Sequence, residues 1–210
     1  VQTVTTHFAA MPTTYTAGKT TIPDFYDEDI SEENSNGIYY HKTLEGAFYY
    51  DLLSTNYTGN YRDYHFNGVL KEEGFIENGK RTGLWTDYYD NSQMCTKSVY
   101  DKNKLSGQYV EFYEDGKKSE VGLFANDLPV GLAVSWHDNG EKMSEGHYDK
   151  EGLETGMWLF WKEDGSRELI ATYDKGKYDG LHIKYLNGYF NAVESAGTYN
   201  DGKLEEYSLD

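Results

Sequence analysis

Aromatic and acidic side chains alternate along three short segments of this sequence, and these residue types are the ones best suited to chemistry or binding. They occupy nine positions: Tyr61, Asp63, His65, Trp85, Asp87, Tyr89, Tyr109, Glu111 and Tyr113. Side chains at every second position of a β-strand share one face of a sheet. Tyr and Trp offer large contact areas with a polar tip, and carboxylates can meet basic groups, so the pattern predicts a partner-binding surface. The same regularity suits aromatics that pack between neighbouring hairpins, and both interpretations stay open.

No catalytic arrangement emerges from the reactive residue types. Paired acids such as Asp63 and Asp87 could support glycoside hydrolysis, but acids that recur in successive repeats indicate a solvated face instead. The segment from Gly74 to Arg81 resembles a phosphate-binding loop, yet Arg81 stands where such a loop has its Mg²⁺-binding Ser or Thr. The six histidines and Cys95 lack the spacing of zinc ligands. We therefore expect no enzyme activity, no cofactor and no metal.

Composition favours an all-β protein with an acidic surface. The 210 residues include 21 Tyr and 22 Gly but only 3 Pro, which are the proportions of a chain rich in strands and turns. Acidic residues number 36 against 19 basic ones, so the net charge is −17. This charge repels nucleic acid and anionic lipid, and it favours a basic protein partner. No segment approaches the roughly 18 to 20 apolar residues of a membrane span, so we expect a soluble chain.

A repeat of about 24 residues organises most of the sequence. Six glycines begin its units: Gly59, Gly83, Gly107, Gly131, Gly156 and Gly180. Eight or nine residues later comes a turn dipeptide: Asn67-Gly68, Asn91-Ser92, Asp115-Gly116, Asn139-Gly140, Asp164-Gly165 or Asn187-Gly188. Such dipeptides suit a type I′ hairpin turn, whose two central residues both have positive φ. A second strand and a second turn complete each unit, so the repeat predicts stacked β-hairpins in one elongated, single-layer, twisted antiparallel sheet.

The repeat also predicts how the chain is divided. The divisions are a non-repeat arm at 1–36 with an acidic run from Asp24 to Glu33, a degenerate capping repeat at 37–58, six hairpins at 59–205 and a tail at 206–210. We expect the arm to be extended or poorly ordered, or else to cap an edge of the sheet.

The first strand of each unit has two predicted faces. The first, third and fifth positions after the glycine are largely apolar and form the predicted core: Leu84, Thr86, Tyr88, Gln108, Val110, Phe112, Leu132, Val134, Trp136, Met157, Leu159, Trp161, Leu181, Ile183 and Tyr185. The opposite face carries the aromatic and acidic pattern. Because Ala133 and Ser135 interrupt that pattern, the predicted partner surface lies nearer Tyr61 to Tyr113 than the later units.

The unit Gly-x-Trp-x-x-Tyr-Tyr-x-Asn-Gly, clearest at 83–92 and 107–116, is followed by Tyr/Phe-x-x-Gly-Lys-x-x-Gly. It resembles the variant of the membrane occupation and recognition nexus (MORN) repeat that is typical of a bacterial family of antitoxin components, over about residues 37–205. The resemblance implies hairpins without enzyme activity that bind and neutralise a toxin. Related repeats serve as scaffold or assembly modules, so a structural subunit is the other form of this hypothesis. An antitoxin role favours the cytoplasm, whereas a start at Val1 leaves a processed organellar or secreted form open.

A second resemblance gives an alternative function. Choline- and glucan-binding cell-wall repeats also combine Gly, Trp and Tyr-Tyr in short hairpins and hold ligands in aromatic cages. By that resemblance Trp85, Tyr89, Tyr109 and Tyr113 would form a stacking platform for a carbohydrate or another small ligand. Those repeats are shorter than the present unit, so the MORN variant is favoured.

Overall fold

A computed structural model describes residues 3–5, 14–16, 56–186 and 192–207. The first two segments are strands β1 (Thr3–Thr5) and β2 (Thr14–Thr16), which pair antiparallel. Both lie within the predicted arm, whose character stays a prediction. The predicted capping repeat at 37–58 falls outside the described residues except for 56–58.

Thirteen further strands form one open antiparallel sheet in which each strand pairs with its neighbours in sequence. They are β3 (Gly59–Tyr64), β4 (Leu70–Glu77), β5 (Lys80–Tyr88), β6 (Met94–Asp101), β7 (Lys104–Phe112), β8 (Lys118–Ala125), β9 (Leu128–Trp136), β10 (Lys142–Tyr148), β11 (Glu154–Trp161), β12 (Arg167–Asp174), β13 (Lys177–Tyr185), β14 (Val193–Asn200) and β15 (Lys203–Tyr207). Strands β3 to β14 are the six hairpins, and the described residues contain no helix. The predicted all-β fold of stacked hairpins is confirmed.

Two kinds of turn occur along the sheet. The prediction of type I′ turns is wrong at the five turn dipeptides that the structure describes, and Asn187-Gly188 lies outside the described residues. In the first of these turns Gly68 has a φ of 86°, whereas Asn67 is not among the residues with positive φ. The Gly68 amide donates to the carbonyl oxygen of His65 at 2.8 Å, as in a type I turn followed by a left-handed residue. The type I′ turns connect successive hairpins instead, as at Asn78 and Gly79, with φ of 50° and 74°. The connection between β10 and β11 is the exception, because there Gly152 alone has a positive φ and its amide donates to the carbonyl oxygen of Asp149.

One face of the sheet, here called the packed face, alternates large and small side chains from strand to strand. From β3 to β14 this row reads Tyr61, Gly74, Trp85, Ser98, Tyr109, Gly122, Ala133, Gly146, Trp158, Ala171, His182 and Gly197. The second strand of every hairpin supplies the small residue. A large ring on one strand can therefore lie flat across the backbone of its neighbour.

The two tryptophans of this row show why the small residue is needed. A Cβ added to Gly74 would lie 2.3 Å from Cδ2 of Trp85, and one added to Gly146 would lie 2.0 Å from Cδ2 of Trp158. Each indole N–H donates to a backbone carbonyl of the strand that its ring covers, and Trp85 reaches the carbonyl oxygen of Phe75 at 3.2 Å. Ring burial and hydrogen bonding thus require glycine in the neighbouring strand.

The main buried cluster also lies on the packed face. It consists of Tyr61, Ile76 and Trp85, with Tyr100 packed against it. The Arg81 guanidinium carbon lies 4.1 Å from the centroid of the Trp85 ring, which adds a cation–π contact. The main buried cluster is therefore formed by the face that carries the aromatic and acidic pattern.

The opposite face, here called the open face, contains the positions predicted as core. That prediction is wrong for the first position of each unit, although Thr86 at a third position is buried. Leu84 is 51% exposed and Met157 is 55% exposed, whereas Trp85 on the packed face is 0% exposed. Apolar side chains are buried only where another element covers them, and this single-layer sheet has no second layer among the described residues. Burial follows the large-and-small alternation of the packed face rather than the mean hydropathy of a strand position.

Candidate binding surfaces

The nine predicted site residues all lie on the packed face, in three rows that cross β3, β5 and β7. The first row contains Tyr61, Trp85 and Tyr109, the second contains Asp63, Asp87 and Glu111, and the third contains His65, Tyr89 and Tyr113. The structure brings them onto one surface, but the three rows have different surroundings.

The first row packs within the sheet. Tyr61 and Trp85 are buried, with ring centroids 5.6 Å apart, and Tyr109 meets Phe124 edge to face at 5.3 Å. Burial is the main cause that raises the pKa of the Tyr61 and Tyr109 phenols, and neighbouring carboxylates add to it. Trp85 has no exposed surface in the described chain, so its contacts are those of a core residue.

The third row joins each hairpin to the next. Five side chains in equivalent positions reach a backbone carbonyl one unit further along: His65 to Tyr88 at 2.7 Å, Tyr89 to Phe112 at 2.6 Å, Tyr113 to Trp136 at 2.6 Å, His137 to Trp161 at 2.8 Å and Lys162 to Leu186 at 3.0 Å. The residue type varies, but each side chain carries a hydrogen-bonding group of sufficient reach. For this row the structural interpretation of the recurring aromatics accounts for the contacts.

Replacing Tyr113 by Phe removes one of these bonds and keeps the ring. We expect the free energy of unfolding to fall by about 0.5 to 1.5 kcal/mol, because one intramolecular hydrogen bond is lost. Urea unfolding measures the change. Tyr185→Phe, on the open face, is the matched control and should change stability by less than about 0.5 kcal/mol. Equal losses in the two variants would contradict the role given to the Tyr113 hydroxyl.

The second row is a line of carboxylates that also includes the intervening strands. Across β3, β4, β5, β7 and β8 it contains Asp63, Glu72, Asp87, Glu111 and Glu120. The first two are paired with cations, since Lys71 Nζ lies 2.9 Å from Asp63 Oδ2 and an Arg81 nitrogen lies 2.6 Å from Glu72 Oε2. The hydroxyl of Thr96 donates to Asp87. We call this line the carboxylate row.

Glu111 and Glu120 face each other directly on β7 and β8. Like charges in directly opposed positions of a sheet are destabilising. Burial raises the pKa of Glu120, and the charge of Glu111 raises it further. Burial likewise raises the pKa of Glu72, although Arg81 opposes that effect. The carboxylate row therefore concentrates negative charge at the β3–β8 end of the packed face.

Replacing Glu120 by Gln should stabilise the chain at neutral pH. A carboxyl group whose pKa is raised on folding binds its proton more tightly in the folded state, so its contribution is lost as pH rises through the folded pKa. We expect Glu120→Gln to increase the free energy of unfolding at pH 7 by about 0.2 to 1 kcal/mol and to have a smaller effect at pH 5. Urea unfolding at both pH values tests this, with the exposed turn residue Glu114→Gln as control. A destabilised Glu120→Gln at pH 7 would refute the repulsion.

The open face carries a row of exposed apolar side chains from β4 to β13, in which Gln108, His147 and Thr172 stand on intervening strands. Six large side chains in one row are each between 40% and 55% exposed: Phe75, Leu84, Leu123, Leu132, Met157 and Leu181. Beside this row, basic side chains stand opposite aromatic ones, in the pairs Lys118 with Phe112, Lys142 with Trp136 and Arg167 with Trp161. The sequence predicts Leu84, Leu132, Met157 and Leu181 as core, whereas Phe75 and Leu123 are not among the predicted core residues.

A hollow of about 340 Å³ lies on the packed face of the later hairpins. It is lined by Phe160, Glu168, Leu169, Tyr178, His182 and Lys184. Sequence reasoning did not select these residues. The available signal was the change of residue type at Phe160, since the equivalent positions of earlier units are Asp87, Glu111 and Ser135.

The described residues contain neither a metal-binding cluster nor a membrane-spanning helix. No group of three or more His, Cys, Asp and Glu side chains in that part of the chain is placed to hold a metal ion. Within the same residues, no helix has the length and apolar character needed to span a membrane.

Two segments of the chain match the family model described as the MORN repeat variant, at residues 57–80 and 129–150. Over these two segments the chain is similar to MORN-variant repeats. The first match contains hairpin β3–β4, and the second contains β10 and nearly all of β9. MORN repeats are a non-catalytic repeat family, and they are generally protein- or membrane-binding modules. No curated protein matches the chain.

Proposed function

We propose that this array of MORN hairpins binds a partner protein, without catalysis, through its open face. The observation that carries the proposal is the row of six apolar side chains, each at least 40% exposed. Burying apolar surface in an interface contributes about 25 cal/mol of favourable free energy per Å². Large apolar side chains that are exposed together on one face mark an interaction site more often than scattered ones do.

The charge of the chain favours a basic partner. A net charge of −17 attracts a basic protein from a distance and increases the association rate at low salt. The carboxylate row adds local negative charge on the packed face, while the open face supplies the apolar contact area. The same charge disfavours nucleic acid and anionic membranes as ligands.

The partner defines two forms of the proposal. In an antitoxin-like inhibitor, the partner is a toxin whose activity disappears in the complex. In a structural subunit, the partner is a component of a larger assembly that incorporates the chain at fixed stoichiometry. A growth assay with the partner expressed alone and together with this chain separates the two, because only a toxin gives growth inhibition that the chain relieves.

Placing two carboxylates on the open face should abolish partner binding. We expect Leu132→Asp with Met157→Asp to weaken binding by more than about 30-fold, since central apolar contacts each contribute about 2 kcal/mol or more. Quantitative affinity capture from native lysate identifies the partner, and binding kinetics at two salt concentrations then measure affinity and the steering by charge.

Phe66→Asp is the control for this experiment, because Phe66 is 94% exposed in the turn after β3 and lies outside the open-face row. A partner captured by the wild-type chain and by Phe66→Asp but lost with the double variant supports the open face. Equal capture by all three chains would show that the binding site lies elsewhere. An association rate that does not fall as the salt concentration rises would contradict a basic partner.

A further inference from the structure

The hollow between β11, β12 and β13 differs from every equivalent place earlier in the array. On the neighbouring strands of the earlier hairpins, the same row of the packed face contains carboxylates, threonine and serines. At the hollow it contains Phe160, Leu169 and Lys184, which are adjacent across the three strands. The acidic character of the packed face is thus interrupted in the later hairpins.

Flat ring surfaces form much of the hollow. Phe160 stacks on the buried Trp158 with ring centroids 5.9 Å apart and planes inclined by 20°, so the core holds the Phe160 ring in place. Tyr178 and His182 meet edge to face at 4.9 Å. Tyr199 contacts both of them, at 5.3 Å and 5.1 Å, which fixes their orientation. The rings are supported from behind before any ligand arrives.

Polar groups of both signs lie among these rings. The Glu168 carboxylate can accept hydrogen bonds and the Lys184 ammonium can donate them, even though Lys184 already pairs with Glu194 at 3.1 Å. Burial lowers the pKa of His182, and the neighbouring Lys184 lowers it further, which favours the neutral imidazole, a group that can both donate and accept. The lining therefore carries no large net charge, in a chain whose total charge repels anions.

We propose that this hollow binds a neutral sugar ring, in a site separate from the open face. The aromatic ring faces of the hollow can contact the C–H groups on the face of a pyranose. The hydrogen-bond donors and acceptors at its rim can contact the hydroxyl groups around the edge of the sugar. The volume of about 340 Å³ is at the lower end of the range for small-ligand sites, which suits one or two sugar rings. This proposal does not depend on the protein-binding function of the open face.

Saturation-transfer NMR with the full chain tests the site, using glucose, galactose, mannose, N-acetylglucosamine and glucuronate as probes. We expect at least one neutral sugar to bind with a dissociation constant on the order of millimolar, because small ligands gain little free energy per atom. Phe160→Ala and Glu168→Gln should each weaken that binding by about tenfold or more. Glucuronate should bind less well than glucose.

Two variants, one of them a control, make the outcome decisive. Glu168→Gln is a substitution of an exposed side chain and keeps the fold even if Phe160→Ala disturbs the Trp158 stack. Met157→Ala, on the open face of the same strand, should leave sugar binding unchanged. The proposal is overturned if no neutral sugar gives a transfer signal, if Glu168→Gln binds as the wild-type chain does, if Met157→Ala abolishes binding, or if glucuronate binds more tightly than every neutral sugar.

Discussion

Replacing Trp85 by Ala should cost about 3 to 5 kcal/mol in the free energy of unfolding, the largest effect expected of any substitution in this chain. Trp85 is fully buried, packs against Tyr61 and Tyr100, and lies under the Arg81 guanidinium. Its removal leaves a cavity over Gly74 that no neighbouring side chain can fill without moving. Urea unfolding monitored by circular dichroism measures the loss.

The repeat architecture adds a second readout for the same variant. In a stacked array each hairpin contacts only its neighbours, so destabilisation spreads through nearest-neighbour interfaces. We expect amide hydrogen exchange in Trp85→Ala to accelerate most in β3 to β6 and to stay slow in β9 to β12. Trp161→Ala is the matched control, because Trp161 lies on the open face and is only partly buried. Equal losses at the two tryptophans would contradict the assignment of the core to the packed face.

The sequence was sufficient to predict the strands and their stacking. Hairpin β5–β6, for example, follows from Gly83 inside its first strand, the turn dipeptide at 91–92 and the alternation between them. These signals are local, and each restricts the backbone independently of the rest of the fold. Repetition at a fixed spacing then makes the stacking of successive units the simplest arrangement.

The choice of face could not be predicted from alternation alone. Leu84 and Trp85 are adjacent, and hydropathy favours burying the leucine at least as strongly as the tryptophan. What decides is the residue across the strand: Gly74 leaves room for the indole, whereas no second layer covers Leu84. Reading the small residues of the second strands together with the aromatics of the first would have identified the packed face.

The turn types show a similar limit. An Asn-Gly dipeptide occurs both at 67–68 and at 78–79, yet only the second is type I′. The Asn67 side-chain oxygen accepts a hydrogen bond from the amide two residues later at 2.9 Å, and its nitrogen donates to the next hairpin at 3.0 Å. These contacts between hairpins favour the longer turn, and they depend on the stack rather than on the dipeptide.

The hollow lay beyond prediction for a different reason. Its residues come from three strands, and Glu168, Tyr178 and His182 occupy different positions of the repeat. When equivalent positions of the repeat are compared, these three residues fall into different columns, so the comparison does not show that they are neighbours. The cross-strand register, in which Leu169 stands opposite Lys184, brings them together.

Replacing Gly146 by Ala should destabilise the chain by about 1 to 3 kcal/mol or more, because the new methyl group would overlap the Trp158 ring. The clash is with a buried side chain that is held between Tyr148, Phe160 and Tyr173, so the indole has little freedom to move away. Urea unfolding measures the loss, and near-ultraviolet circular dichroism reports the displaced indole.

Gly122→Ala is a matched control because Gly122 occupies the same repeat position in hairpin β7–β8. Here the next strand contributes Ala133 rather than a tryptophan, and the nearest side-chain atom to an added Cβ is Cε2 of Phe124, at 4.0 Å. We expect Gly122→Ala to be neutral or to stabilise by up to about 1 kcal/mol, since alanine reduces the entropy of the unfolded chain.

The comparison separates two reasons for a repeated glycine. If the position needs glycine for its backbone conformation, Gly146→Ala and Gly122→Ala should lose similar amounts of stability. If it needs glycine to accommodate a ring from the neighbouring strand, only Gly146→Ala should lose stability. Combining Gly146→Ala with Trp158→Ala then gives a coupling energy, which should cancel much of the glycine effect once the ring is gone. Additive losses in the double variant would show that ring and glycine act independently, and the large-and-small alternation would no longer explain why this face forms the core.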